Sequence, residues 1–199
     1  MATQQRGEET RSRILEAAVA GFAEQGYGRT GVAEICHRAQ VSKGAFYHHF
    51  PSKQALFLEL LERWLSALDA QLEGIRAEDA TVPEALMGMS GIIRQVFQAG
   101  REQLPLFLEF WTRAAHDAAV WEATIAPYRR YRAFFSRMIE SGVAEGTLHP
   151  VDPDSAARVI VSLAVGLVVQ GLLDTEGAEW GEVAEEGVRM LLRGIAVKE

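Results

Sequence analysis

The chain has 199 residues, 48% of them apolar, with nine Phe and four Trp, so one or two compact units with a sizeable core are expected. Its net charge of −7 does not by itself suggest nucleic acid, but residues 1–53 hold seven Lys and Arg against five Asp and Glu, while the remainder holds thirteen against twenty-two; a mildly basic head on an acidic body can bind DNA at one end. A lone Cys36 permits no internal disulfide, the opening MATQQRGEE lacks an apolar signal segment, and the longest apolar run, Ala156 to Leu173, is interrupted by Arg158, Ser162 and Gln170, so a cytoplasmic chain outside the membrane is expected.

Residues 1–8 are polar and predicted to be disordered. A first helix is predicted from Glu9 or Thr10, with Ile14, Ala17, Ala18 and Phe22 on its buried face and Leu15 at the edge. Gly26 should end it in a left-handed conformation, with Tyr27 packing back on Phe22.

The stretch TGVAEICHRAQVSKGAFYHHFPSK, Thr30 to Lys53, is the one around which the chain is organised. Val32, Ile35 and Ala39 recur at the spacing of one helical face. Gln40, Val41 and Ser42 interrupt it, and Ser42 is suited to N-cap a further helix. That helix can run only from Lys43 to about Phe50, because Pro51 disfavours helical geometry in the residue before it. Phe46 and Phe50 face inward. Lys43, Gly44, Tyr47 and His48 face outward, a poor solvated face and a good one for a DNA groove.

A long helix is predicted from about Ser52 to Glu73, with Phe57, Leu60, Leu61, Trp64, Leu65, Leu68 and Leu72 as its apolar stripe. After the loop IRAEDAT, Thr81 and Glu84 are spaced as a capping box with Pro83 in the first turn, which starts a helix that ends near Gly100. LPLFLEFWTRAA reads as a short apolar helix. Another runs from about Ala118 to Glu145, kinked near Pro127. Asp152 and Pro153 fit the N-cap and first position of a helix that is apolar nearly all round from Val159 to Leu173. The last helix places Trp180, Val183, Ala184, Gly187, Val188, Leu191, Leu192 and Ile195 on one stripe. No strand pattern or internal repeat is visible. The fold class is therefore all-α.

With the upstream TRSRILEAAVAGFAEQGYGRT, the Thr30–Lys53 stretch resembles the N-terminal signature of the tetracycline-repressor (TetR) family of transcriptional regulators. Arg13, Ile14, Phe22, Gly26, Tyr27, Val32, Ile35, Ala39, Val41, Ser42, Lys43, Gly44, Tyr47, His49, Phe50, Lys53 and Leu56 are among the ordered matches. FWTRAA, the RRYR segment and GVAEGTLHPVDPDSAARVIVSLAVGL look like the C-terminal half of betaine-repressor-like members. The resemblance implies an N-terminal three-helix helix-turn-helix DNA-binding domain over residues 1–51. It also implies a six-helix effector-binding and dimerisation domain over residues 52–199, its last two helices pairing with their mates in a homodimer. Gln40 stands where the family often has Gly, and Gly31 where Ser or Thr is common.

By this resemblance Thr30, Lys43, Tyr47, His49 and Lys53 match positions that hold DNA phosphates, a task that suits hydroxyl, imidazole and ammonium donors, and Ser42 is a further DNA contact. Gly44, Ala45 and His48 are the residues nearest base edges, where Ala45 offers only a methyl group to thymine; the alternative for His48 is a phosphate contact. Direct readout is thin, so DNA shape should carry part of the specificity. The plain alternative is an ordinary solvated surface. His48 and His49 point about 100° apart on a helix and make a poor metal pair; no metal or cofactor is expected. Cys36 reads as a small buried residue. Arg129, Arg130 and Arg132 read as a solvated or acid-paired face.

Trp64, Phe97, Phe107, Phe110, Trp111, Tyr128, Tyr131, Phe134 and Phe135 are either core or, as the resemblance implies for some, the lining of an effector cavity. Glu109, Arg113, His116 and Gln170 are candidate polar contacts within it. No nucleophile–base–carboxylate set, phosphate-cradling Gly loop or metal spacing supports an enzyme. The expectation is a one-component regulator, a repressor that binds an inverted-repeat operator in double-stranded DNA as a dimer and is released by a small, mostly apolar effector. The alternative is a helical ligand- or partner-binding protein that does not engage DNA.

Overall fold

Side-chain caps from Ser42 and Asp152 set the starts of two of the helices. The computed structural model describes residues 2–76, 80–99 and 104–197, and within these the side chains of all but residues 2–4, 76, 98, 99, 104–107 and 110. The helices are α1 (Ala2–Arg29), α2 (Val32–Ala39), α3 (Lys43–His49), α4 (Lys53–Arg76), α5 (Val82–Ala99), α6 (Leu104–Ala114), α7 (Ala118–Ala144), α8 (Pro153–Leu173) and α9 (Trp180–Ile195). Among the described residues the only extended pairing is an isolated bridge between Leu148 and Ala196. The expected ends in the loop at residues 77–79 and near Gly100 lie outside the described residues.

One compact unit comprises Met1–Leu65 and Glu102–Ala123. Here α1 starts at Ala2 rather than near Glu9, so the expected disorder is replaced by helix; Ala, Gln, Arg and Glu in this stretch are all favourable helix formers. Gly26 breaks the helix with φ 77° and ψ 158°, an extended positive-φ conformation open essentially to glycine alone, rather than the left-handed helical one expected. Tyr27 does pack back on Phe22, ring centroids 5.2 Å apart. Gln40 ends α2 in the left-handed region at φ 54°, ψ 46°. Its cost over Gly is roughly 1 kcal/mol.

The Ser42 hydroxyl caps α3 by accepting from the Ala45 N–H at 3.1 Å, and Phe50, extended before Pro51, ends it. Ile14, Leu15, Ala18, Phe22, Ile35, Phe46, Phe50, Leu56, Phe57 and Leu61 form one buried core, with Trp64 and Trp111 partly buried against it. Truncating Phe46, fully buried, to Ala would cost roughly 3–5 kcal/mol.

The second unit comprises Ser66–Arg101 and Thr124–Glu199. The Glu84 carboxylate accepts from the Thr81 N–H at 2.8 Å and its hydroxyl at 2.7 Å, which is the carboxylate half of the predicted capping box. Asp152 caps α8 by accepting from the Ser155 N–H at 2.8 Å, with Pro153 in the first turn. Leu72, Val82, Leu86, Met89, Met138, Ile139, Leu148, Ile160 and Leu192 fill the core. α5 runs along α9, and Gly171 lets α8 approach closely: a Cβ there would meet the Phe97 ring at 2.3 Å.

By length and hydropathy alone α8 is long and apolar enough to cross a membrane, despite the polar residues that interrupt it. In the chain it packs one side into this core while Val159, Ser162, Gln170 and Leu173 face outward.

Candidate nucleic-acid interface

The α2–α3 corner presents one continuous polar face. Ser42, Lys43, Gly44, Tyr47 and His48 are exposed, and Ala45 and His49 are half-buried behind them. The face exists because Phe46 and Phe50, four residues apart, are drawn into the core and turn the intervening side chains outward. Tyr47 is 54% exposed, an unusual position for a phenol, and is held edge-on against Phe46 with centroids 5.3 Å apart. Its orientation is thereby set before any ligand arrives. His48 and His49 stack edge to face at 5.1 Å. The His49 imidazole is held below the ordinary histidine range, chiefly by partial burial and then by the charges of His48 and Arg11. Arg11 itself lies over the Phe50 ring and pairs with Glu59 at 2.6 Å.

Lys53 opens α4. Its ammonium donates to the carbonyls of Tyr27 at 2.7 Å and Thr30 at 2.9 Å, and sits 4.1 Å from the centroid of the Tyr27 ring. One ammonium N–H remains. Burial first, then the Arg113 charge, push its titration down, with Glu109 opposing. The Ser52 hydroxyl accepts from the Ala55 N–H at 3.0 Å. By helix geometry the N–H groups of Lys53 and Gln54 have no intrahelical acceptor, which suits an anion.

Thr30 requires a correction. It is 0% exposed, and its hydroxyl lies 2.8 Å from the Gly21 carbonyl and 2.9 Å from that of Gly26. Its amide donates to Gly26 as well. A hydroxyl so enclosed cannot reach a phosphate; Thr30 ties α1 across the break at Gly26. Cys36 is buried, and burial pushes its thiol up, away from thiolate chemistry. Arg38 pairs with Glu24 at 2.8 Å and Glu34 at 2.7 Å and so belongs to the α2 scaffold.

The expected effector residues fall into several groups. Trp64 and Trp111 pack on the core of the first unit. Tyr131, Phe134 and Phe135 pack on the core of the second, Tyr128 is half-buried, and Phe97 meets Trp180 at 6.3 Å. Phe107 and Phe110 lie outside the described side chains. Gln170 is placed differently from expectation: it is exposed, and its amide donates to the Gly166 carbonyl of its own helix at 3.3 Å. A polar residue on an otherwise apolar helix turns outward because the core side offers it no partner. Arg130 pairs with Asp69 at 2.6 Å and Arg132 with Asp154 at 3.1 Å, the acid-paired face expected of that segment. Arg113 sits on the Tyr27 ring, 4.0 Å from its centroid, a contact that no spacing in the sequence announces.

Comparison with known proteins agrees with this geometry at both ends of the chain. Residues 14–60 match the family described as bacterial regulatory proteins, tetR family, and residues 88–196 match the BetI-type transcriptional repressor C-terminal region. The chain is 28% identical over 187 residues to the A-factor receptor protein of Streptomyces griseus, covering 93% of this chain but only 63% of that protein. It is 26% identical over 193 residues to the regulator UidR of Escherichia coli K12, covering 94% of this chain and 92% of UidR.

Among solved structures, a transcriptional regulator from Saccharomonospora viridis in complex with choline superposes with TM-score 0.82 at 24% identity, covering 96% of this chain and 100% of that one. The SmeT–triclosan complex gives 0.81 at 22%, covering 95% and 92%. These last two likenesses speak to the fold. The capped α3 with its outward Lys43–Tyr47–His48 face and the match of more than half the chain to a repressor body lead to one conclusion: the chain belongs to the TetR family, and it is a DNA-binding transcriptional regulator, not an enzyme.

Proposed function

We propose that this regulator is a cytoplasmic repressor that binds an inverted-repeat operator as a homodimer and is released by a small, mostly apolar effector. Residues 1–51 form its helix-turn-helix part, to which Lys53 adds a phosphate contact from the start of α4, and residues 52–199 form its effector-binding and dimerisation part. The observation that carries the reading is the preset outward face of α3, with Lys43, Gly44, Tyr47 and His48 exposed beside Ser42. Lys43, Tyr47, His49 and the remaining N–H of Lys53 serve phosphates, and Ser42, whose oxygen accepts within α3, still has an O–H to donate. Gly44, Ala45 and His48 lie nearest the bases.

Outward apolar groups on α8 and α9 support a second copy as the dimer mate: Val159, Leu173, Val183 and Met190 are exposed. Gly166 and Gly194 leave open space where a Cβ would stand, which admits close helix approach. A two-fold dimer places its two α3 helices about 34–36 Å apart, one turn of DNA. Aromatics such as Trp64, Trp111, Tyr131 and Phe134 are the candidates to meet the effector.

Control would run through α4, which carries Lys53 and, eleven residues on, Trp64. A ligand that favours a different setting of α4 would change the half-site spacing; one that binds both settings equally would shift nothing. A coupling of about 1–3 kcal/mol is typical, and operator must weaken effector binding by the same factor.

Selection of duplexes from random DNA with the full chain tests the reading, and an enriched two-fold-symmetric site is the expected result. Ligand titrations of free and DNA-bound protein then test release. Choline and triclosan, bound by two proteins of this fold, begin the panel. No enrichment would favour a helical ligand-binding protein that does not engage DNA. Equal ligand affinity with and without operator would remove the release mechanism.

A further inference from the structure

Arg113 stands in the last turn of α6, in the same compact unit as α1, α2 and α3. Its guanidinium carbon is 4.0 Å from the centroid of the Tyr27 ring, and the Lys53 ammonium is 4.1 Å from the same centroid. Two cations at one ring repel each other, while the ring's quadrupole attracts both. Arg113 Nε is shut off from solvent and has no hydrogen-bond acceptor among the described residues. A buried donor left without an acceptor costs free energy. A more ordinary partner stands one turn back, Glu109 at i−4, yet among the described residues no ion pair joins the two. The arrangement therefore favours the ring over the carboxylate.

We infer that Arg113 is a positioning residue for the DNA-contacting face: it anchors the Tyr27 ring and, through it, fixes the Lys53 ammonium on the carbonyls of Tyr27 and Thr30 so that its remaining N–H meets a phosphate. The inference rests on the DNA reading of Lys53 above. Tyr27 is a stiff platform, buried with Phe22 and Phe57 against it at 5.2 and 4.5 Å. Like charge from Arg113, together with the two carbonyl oxygens at 2.7 and 2.9 Å, narrows the ammonium to one place. The same charge contributes to holding the Lys53 titration below the ordinary lysine range, after burial and against Glu109. α6 thus reaches Lys53, the first residue of α4, through the Tyr27 ring rather than along the length of α4.

The test uses full-length protein and the duplex that the wild type enriches from random DNA. Operator affinity is measured across a salt series for wild type, Lys53→Ala, Arg113→Met, Arg113→Lys and the double variant with Lys53→Ala and Arg113→Met. Arg113→Met should weaken binding by about tenfold, the scale of a desolvated cation–π contact. It should also lower the salt slope by about 1, as Lys53→Ala does, because one phosphate contact is lost. The double variant should show no further drop in slope, and Arg113→Lys, which keeps a cation at the ring, should restore it. A second readout needs no DNA: the Lys53 side-chain resonance, followed by NMR, should titrate at higher pH in Arg113→Met. If Arg113→Met does not fold, Arg113→Gln carries the same two readings. A wild-type slope in the Arg113 variant alongside a lowered slope in Lys53→Ala overturns the inference alone, as does an unmoved Lys53 titration. A wild-type slope in Lys53→Ala removes the phosphate contact itself, and the inference with it.

Discussion

Gly21 and Thr30, nine residues apart, are in contact across the end of α1: the Thr30 hydroxyl lies 2.8 Å from the Gly21 carbonyl, and a Cβ on Gly21 would stand 2.7 Å from the Thr30 methyl. The pair closes the chain over the break at Gly26 and delivers it to α2. Thr30→Val keeps the shape and removes the hydroxyl, so it should lower stability by about 1 kcal/mol in urea unfolding. A residue with this structural role leaves the salt slope of DNA binding unchanged, whereas a phosphate ligand would lower it by about 1. Gly21→Ala should destabilise as well, since the methyl it meets is buried and cannot swing away.

Lys43→Ala tests the face itself. Lys43 is exposed at the start of α3 and makes none of the carbonyl contacts that Lys53 makes. Its removal should leave the urea midpoint within about 0.5 kcal/mol of wild type and weaken operator binding, with a salt slope lower by about 1. Lys53→Ala should do both kinds of damage, because its two hydrogen bonds to the α1–α2 turn go with the phosphate contact. Wild-type affinity and slope in Lys43→Ala would remove that residue from the interface.

Much of the head is legible in local sequence. The Ser42 cap, the stop before Pro51 and the inward Phe46 and Phe50 each depend on residues within one helical turn. The Thr81–Glu84 box and the Asp152–Pro153 start are legible for the same reason. Features that escape the sequence depend on distance along the chain. Thr30 has the right chemistry for a phosphate, and only the approach of Gly21 reveals that its hydroxyl is enclosed. Arg113 meets Tyr27 across 86 positions, so no periodicity could announce it, and by sequence it reads only as a polar group for an effector cavity. Gln170 is misplaced by sequence because an all-round apolar helix does not say which of its sides meets the core. The Gly26 break is foreseeable, but its ψ depends on where α2 must begin.

His49 gives a pH dependence with a definite sign. Its folded-state titration lies below the ordinary value near 6.5, from partial burial and the charges of His48 and Arg11. The unfolded chain therefore takes up the proton first as pH falls. The stability tied to neutral His49 is fully present above about 6.5 and is lost as pH drops through the lower folded value. His49→Asn should flatten that part of the stability–pH curve in urea unfolding between neutral and mildly acidic pH. An identical curve in the variant would show that His49 does not report on the fold.

The dimer is tested at α8 and α9. Val159 and Leu173 are fourteen residues apart on α8, which brings them within about 40° of one another around the helix axis. Gly166 and Gln170 lie between them on the same stripe. On α9, Val183 and Met190 are seven apart, within about 20°, and Gly194 continues that line. Leu173 is 78% exposed and Met190 62% exposed, although both are large and apolar. Two such stripes from each chain, joined about a two-fold axis, would form a four-helix contact. Because these side chains are already outside the core of their own chain, Leu173→Glu and Met190→Glu should leave a single chain folded. That separates loss of association from loss of fold, which a substitution at a core position such as Leu192 could not do. Sedimentation should show dimers for wild type and monomers, or a markedly weakened dimer, for at least one variant, with helical circular dichroism unchanged. Monomers should also lose cooperative operator binding, because a single α3 reads only one half-site. Both variants sedimenting as wild-type dimers would place the interface elsewhere on the chain.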